Sequence, residues 1–356
     1  MASTLSSNGT KQLTAFASWM HRNFLWLLVG SYLLAAVLPG PGLAIRNLSL
    51  TPPSGDKVTA PLLLLALLLF CAAAVVEWSQ VRNLMQRPGI LFLGLIAIWV
   101  VPGTLVGLLG WALPYLLGEY VTTGMMVGLA LVAAMPVANS SVAWTQNAQG
   151  NVAVSLGLIV LTIVLSPLAT PQLLNLMGLA LSHQETDQCQ KLVTKFSGSF
   201  FMIWVILPSL AGGIANRLAG PRRIEKSKGY IRMVSAMTLL TLNYTNASLA
   251  MPKVFHDEGT KIVLVSAVLA ILLSLIGMLS AWLLSRWMRL GNESRVSLIF
   301  GFSMKHTGLA LVLAGEVLET EPRVILMIVL ATLLQHITAG VADWFLARSA
   351  QIAAKP

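Results

Sequence analysis

A lysine and a histidine sit side by side inside an apolar stretch, Gly301-Phe302-Ser303-Met304-Lys305-His306-Thr307-Gly308. An ammonium at the centre of a bilayer costs ~2.5–3.5 kcal/mol by insertion scales. It therefore demands a wet cavity, a partner or loss of its charge, or else it snorkels to the water boundary. No acidic residue is expected at the depth of Lys305, because Asp343 and Glu316 fall near opposite ends of their apolar runs. The partner is then a bound anion or the negative end of a half-helix. His306 reads equally as a satisfied core residue and as a group titrating near neutral pH. A second interruption, Met135-Pro136-Val137-Ala138-Asn139-Ser140-Ser141, breaks an apolar run that begins near Thr122. Asn139, Ser140 and Ser141 carry oxygens able to cap the half-helix that follows. The same helix N-terminus presents N–H groups to an anion. Gln335-His336-Ile337-Thr338 adds two polar side chains to the last apolar run. Either interhelical hydrogen bonding or a cavity shared with His306 accounts for His336.

The elements that must position these groups follow one pattern. Each interruption is followed by a short helix, a tight polar turn (149–151 and 318–323) and a long apolar run. Backbone freed from helical bonding cannot face lipid, so it faces protein or a wet cavity. Paired interruptions in matching places of two halves point to a transporter binding site. Composition agrees: 56% of the 356 residues are hydrophobic and 10% charged, with a mean hydropathy of +0.78. A soluble chain carries about 25% charged residues, so an integral membrane protein is expected. In so apolar a chain the formal net charge of +10 reflects basic cytoplasmic loops rather than nucleic-acid binding. The two cysteines, Cys71 in an apolar run and Cys189 in a polar loop, form no disulfide or metal pattern.

Ten spans are expected, near 24–45, 60–76, 90–109, 122–148, 152–180, 196–216, 233–251, 261–284, 297–317 and 324–346. The first is a retained span, too long for a signal peptide. The fold class is all-α membrane protein: ten transmembrane helices in two inverted five-helix repeats, with helices 4 and 9 discontinuous and crossing. Residues 24–180 form the first repeat, 181–195 a connecting loop and 196–347 the second. Residues 1–23 and 348–356 are tails. An odd number of spans per half forces the inversion. Fifteen Lys and Arg, among them Lys11, Arg22, Arg82, Arg87 and Lys355, fall on the side of the N-terminus, and seven on the other. That excess places both termini in the cytoplasm. Trp26, Trp78, Trp111, Trp282 and Trp287 lie near span ends, as interfacial aromatics do. Asn243, Thr245 and Asn246 read as interhelical glue.

Three segments carry a family likeness: Pro136-Val137-Ala138-Asn139-Ser140-Ser141-Val142 with Gly150-Asn151-Val152-Ala153-Val154-Ser155 and Leu165-Ser166-Pro167-Leu168-Ala169-Thr170-Pro171; then Met304-Lys305-His306-Thr307-Gly308-Leu309; then Gln335-His336-Ile337-Thr338. They resemble P-G-G-T-A-S-N-V, G-N-V-A-L-S, L-S-P-L-L-T-P, M-Q-N-S-G-L and H-N-I-S of the bile acid:sodium symporter family, as a divergent bacterial-type member. The resemblance implies a panel and a core domain, alternating access, organic-anion substrates and a bacterial inner (plasma) membrane.

The departures matter as much. At the family's sodium-ligand positions, Ser141 and Ser155 match. The Asn position is Val142, the Thr position Ile159, and the Gln of span 3 falls near Ala97 or Ile98. The span 9 Glu position is Gly301 and its Gln position Lys305. A carboxylate has been lost and an ammonium gained. Transport without sodium coupling is therefore expected, with Lys305, His306 and His336 as the candidates for coupling it to protons. Sodium is the one cofactor the resemblance raises. The family's substrate-facing positions carry over to Asn139, His306, Gln335 and His336, with Ser140 and Lys305 beside them. Ser141, Ser155, Ser303, Lys305 and Thr307 are the candidates for the ion or crossover site. The expected partners are a small organic anion and the lipid bilayer. The other readings are a sodium-coupled symporter with unrecognised sites, a channel, and an intramembrane enzyme, the last suggested only by Ser303 near Lys305.

Overall fold

A computed structural model describes residues 19–20, 23–51, 57–76, 88–118, 122–257 and 259–353. Trp78, Lys11, Arg22, Arg82, Arg87 and Lys355 lie outside the described residues. The described residues are helical almost throughout. It divides into two compact units, each drawn from both halves of the sequence.

The first unit comprises Met1–Val76 and Ser199–Pro252. It opens with α1 (Phe24–Val37) and α2 (Pro39–Asn47). The run expected over 24–45, with Pro39 and Pro41 inside it, is bent by 93°. Pro39 cannot donate a backbone hydrogen bond and forces Leu38 out of the helical region, to φ −131° and ψ 69°. A two-residue antiparallel ladder, β1 (Ser49–Leu50) with β2 (Val58–Thr59), leads to α3 (Ala60–Ala74). After a kink at Gly198, whose φ −80° and ψ −163° are not helical, and a short π-helical stretch, Met202–Ile206, come α9 (Leu207–Ala219) and α10 (Pro221–Asp257), whose end passes into the other unit. α9 packs on α3 so closely that a β-carbon at Gly212 would collide with the carbonyl of Phe70. The Asn216 amide donates to the carbonyls of Ala74 and Val76, closing the end of α3. Of the polar residues read as glue, Asn246 accepts from Arg46 at 2.7 Å, joining α10 to α2. Thr245 donates to Leu242 O in its own helix, its one side-chain bond among the described residues.

The second unit comprises Glu77–Gly198 and Lys253–Pro356. Its described helices are α4 (Pro88–Leu117), α5 (Met125–Ala134), α6 (Ser140–Asn147), α7 (Val152–Gly178), α8 (His183–Lys195), α11 (Thr260–Trp287), α12 (Asn292–Ser303), α13 (Thr307–Val317) and α14 (Pro322–Ala353). Every residue of α5 is buried, as is α13 from Thr307 to Gly315. Helices apolar all round belong inside, and these two are enclosed. The longer α4, α7, α11 and α14 pass around them with exposed apolar faces (Val100, Leu168, Leu264 and Trp344, for example).

Among the described residues five helices could cross a membrane by length and composition: α4, α7, the Met202–Ala219 segment, α11 and α14, or six with the bent α1–α2 pair. Helices occupy the other expected positions too. α3 is short, α10 is more polar, and spans 4 and 9 are each split in two. Trp26, Trp111 and Trp287 are largely exposed, as residues facing an interface would be.

The 181–195 connection is not a loop. Ser182 and Glu185 form a capping box that starts α8, an amphipathic helix. Glu185 also accepts from the amide of Gly124, the N-cap of α5, at 3.1 Å. One carboxylate thus closes two helix starts, where negative charge is favoured. Cys189 is buried in α8. Burial pushes its thiol up to about 12, with the Glu185 carboxylate adding to the effect. It is an inert packing residue.

α11 runs against the end of α12. A β-carbon on Gly277 would stand 2.6 Å from the carbonyl oxygen of Phe302 and 3.1 Å from Cα of Ser303. Gly277→Ala should therefore displace the chain just before Lys305 and cut the yield of monodisperse protein. Gly30→Ala, where a β-carbon meets nothing within 4 Å, should fold as well as wild type. Size-exclusion profiles of the two variants check this.

Candidate binding site at the paired helix breaks

α5 stops because Pro136 drives Met135 into extended backbone, at φ −68° and ψ 151°. α12 stops at Met304, extended at φ −113° and ψ 113°. The two breaks lie against each other as a short antiparallel bridge centred on Val137 and Lys305. Ala138 N donates to Met304 O at 3.0 Å, and His306 N to Pro136 O at 2.9 Å.

A buried break must account for its freed backbone groups, and side chains of α7 and α14, with His306 of the break itself, satisfy several of them. Thr162 of α7 accepts from Val137 N at 3.1 Å. Thr170, two turns on, donates to Ala134 O at 2.8 Å. Gln335 of α14 accepts from Lys305 N at 3.0 Å, and its amide reaches the Thr307 hydroxyl at 3.4 Å. His306 is the N-cap of α13, with Nδ1 accepting from Leu309 N at 3.1 Å. That leaves the proton of its neutral ring on Nε2.

The Lys305 side chain is 2% exposed. Its Nζ donates to Ile98 O at 2.7 Å and to Met135 O at 3.4 Å. Both carbonyls are available for a stated reason. Met135 O lies in the break. Ile98 O would ordinarily accept from the amide four residues on, but that residue is Pro102, inside α4 with no N–H to give. Among the described residues no carboxylate lies within salt-bridge distance of Nζ. The amine is held by carbonyl oxygens alone, as a cation would be.

The other expected residues divide. Ser141 and Ser155, both fully buried, bond each other at 3.2 Å and join α6 to α7. Among the described residues Ser303 bonds only the carbonyl of Phe300 in its own helix. His336 does not pair with His306: its Nδ1 accepts from the indole of Trp144 at 3.4 Å. Asn139 does stand at the N-cap of α6, but its side chain makes no capping bond, because Asn139 is itself helical (φ −60°, ψ −27°). The capping expected of it is thus corrected. Asn139 and Ser140 remain half-buried at the start of α6, with side chains committed to no hydrogen bond among the described residues.

Sequence reasoning missed Thr162, Thr170, Trp144 and Pro102. Ser155, Thr162, Ser166 and Thr170 recur at helical spacing on one face of α7, all fully buried. That hydroxyl stripe in an apolar helix was the available signal. Thr162→Val would leave Val137 N without an acceptor, a loss of about 1–3 kcal/mol. The expected outcome is a lower Tm in detergent; Thr162→Ser, which keeps the oxygen, should stay near wild type.

The model of the SBF-like CPA transporter family matches residues 22–351. The uncharacterised protein YbaS of Bacillus subtilis (strain 168) is 25% identical over 285 residues, covering 80% of this chain and 87% of YbaS. The chain belongs to the SBF-like CPA transporter family, which is related to the bile acid:sodium symporters. It is a membrane transporter, not an enzyme.

Proposed function

We propose that this member of the SBF-like CPA transporter family carries a small organic anion by alternating access, without sodium, using the Lys305 amine where relatives of the bile acid:sodium type use a metal ion. One observation carries the reading: Lys305 Nζ lies between Ile98 O and Met135 O at the junction of the two breaks, with no carboxylate beside it among the described residues. In split-helix transporters, unwound carbonyls coordinate the cation and half-helix N-termini face the anionic group. Here three carbonyls at the breaks are already occupied. Met304 O and Pro136 O bind backbone amides, and Met135 O binds Lys305. Two hydroxyls bonded to each other, Ser141 and Ser155, are what remains of the metal-ligand set. A carboxylate at Gly301 would also meet an apolar wall, since a β-carbon there stands 3.0 Å from Leu158 Cδ1. These residues do not fit a sodium ion.

The anion is assigned to the start of α6. Asn139 and Ser140 have uncommitted polar side chains there, and His306 offers its Nε2–H from the start of α13. Two helix N-termini and these donors favour an acceptor-only group such as a carboxylate. Ten spans in two inverted repeats of five, both termini cytoplasmic, complete the proposal. Its support is the helix found at each of the ten expected positions and the mutual bridging of the fourth and ninth.

Uptake of labelled carboxylates into proteoliposomes, with and without an inward sodium gradient, tests the reading. Equal rates are expected in the two conditions. Strong sodium dependence overturns it. Acceleration by an inward proton gradient would assign the coupling to Lys305, His306 or His336.

A further inference from the structure

The junction between α9 and α10 in the first unit concentrates positive charge that the transport site does not use. From residue 207 to residue 232 the chain has six cations, Arg217, Arg222, Arg223, Lys226, Lys228 and Arg232, against one acid, Glu225. Glu225 is engaged by Lys228 at 3.4 Å. The other five have no carboxylate within salt-bridge distance among the described residues, and all five are exposed. Arg222, Arg223 and Lys226 fall on neighbouring positions of the first turns of α10. Arg217 joins them from the last turn of α9, across the corner that Gly220 turns at φ +77°.

An exposed apolar face runs directly into this corner. Leu207, Leu210, Ile214 and Leu218 of α9 recur at helical spacing and are 61, 58, 58 and 79% exposed. The change from apolar to cationic takes place between Leu218 and Arg222, little more than one helical turn. A soluble acidic protein or a nucleic acid would match the charges and leave that apolar face in water. A molecule with an anionic head and hydrocarbon tails matches both.

We propose that the α9–α10 corner binds an anionic phospholipid. The headgroup phosphate lies among Arg217, Arg222, Arg223 and Lys226, and the acyl chains lie along Leu207, Leu210, Ile214 and Leu218. Arginine forks take phosphate oxygens two at a time, so the site selects the headgroup as well as attracting it.

Purified full-length protein, titrated with phosphatidylglycerol or phosphatidylcholine and read by native mass spectrometry, tests this. Phosphatidylglycerol should be retained about tenfold or more over phosphatidylcholine, given the attraction contributed by each basic residue near a lipid surface. The variant R222Q/R223Q/K226Q should lose most of that preference. R286Q/R289Q/R348Q removes as much charge from the other unit and should keep it. Equal loss in both variants would mean a net-charge effect with no site, and overturns the proposal. So does full retention in the first variant. Displacement of the lipid by inorganic phosphate or polyglutamate at matched charge would show that the apolar face plays no part, and overturns it as well. Elution of both variants as monodisperse protein establishes that they fold.

Discussion

Lys305→Met should abolish transport, by about a hundredfold or more, and still give folded protein. The two halves of that expectation come from different energies. Removing the amine orphans the carbonyls of Ile98 and Met135, each at a cost of about 1–3 kcal/mol. It also relieves the burial of a charge, which costs several kcal/mol when no counter-ion repays it. The two oppose each other at similar size, so Tm should move by only a few degrees. Transport has no such compensation, because methionine neither bridges α4 to the break nor offers charge to an anion. Lys305→Arg should not rescue it. A planar fork needs acceptors side by side, and these two carbonyls come from different helices. Initial uptake rates together with Tm of the same preparations decide the matter. An unfolded Lys305→Met protein, or a folded one with wild-type rates, contradicts the account.

Pro102→Ala should slow transport roughly ten- to a hundredfold although residue 102 belongs to neither break. The substitution restores an N–H four residues after Ile98, and the α4 helix can then recapture the Ile98 carbonyl. Lys305 would lose its shorter hydrogen bond, at 2.7 Å. A hydrogen bond to a charged group is worth about 1.5–3 kcal/mol, which converts to that range of rates. The helix itself should become more stable, since proline is costly in a helix interior. Higher Tm with lower transport is the expected pair of results. In a double-mutant cycle, Pro102→Ala added to Lys305→Met should cost little further activity, because both changes act through one contact. Full additivity would mean that the proline acts elsewhere.

The breaks were legible in sequence because they rest on local rules. Pro136 sets the conformation of Met135, and a polar cluster cannot continue an apolar helix. Lys305 stood out for the same reason: an ammonium in an apolar run has no bland explanation once it is buried. The partners were not legible. Ile98 carries no chemical sign, and its carbonyl matters only through a proline four residues on and a lysine 207 residues away. Thr162 and Thr170 looked like ordinary small residues until they met Val137 and Ala134. Asn139 was expected to cap α6, but a cap needs non-helical backbone, and no residue type guarantees that. The 93° bend within 24–45 was not legible, because hydropathy counts residues and says nothing of the direction change that Pro39 imposes. α8 was missed by weighing its polar composition above the Ser182–Glu185 capping pair that starts it.

The most direct test of a lysine in the place of a metal ion is carboxylate binding by thermal shift in sodium-free and sodium-containing buffer, with wild type and Lys305→Ala side by side. A ligand at a hundred times its Kd stabilises by about 2.7 kcal/mol, ample for a clear shift. The account predicts the same shift for wild type in both buffers and none for the alanine variant in either. A shift that appears only with sodium, and that survives the loss of Lys305, would contradict it.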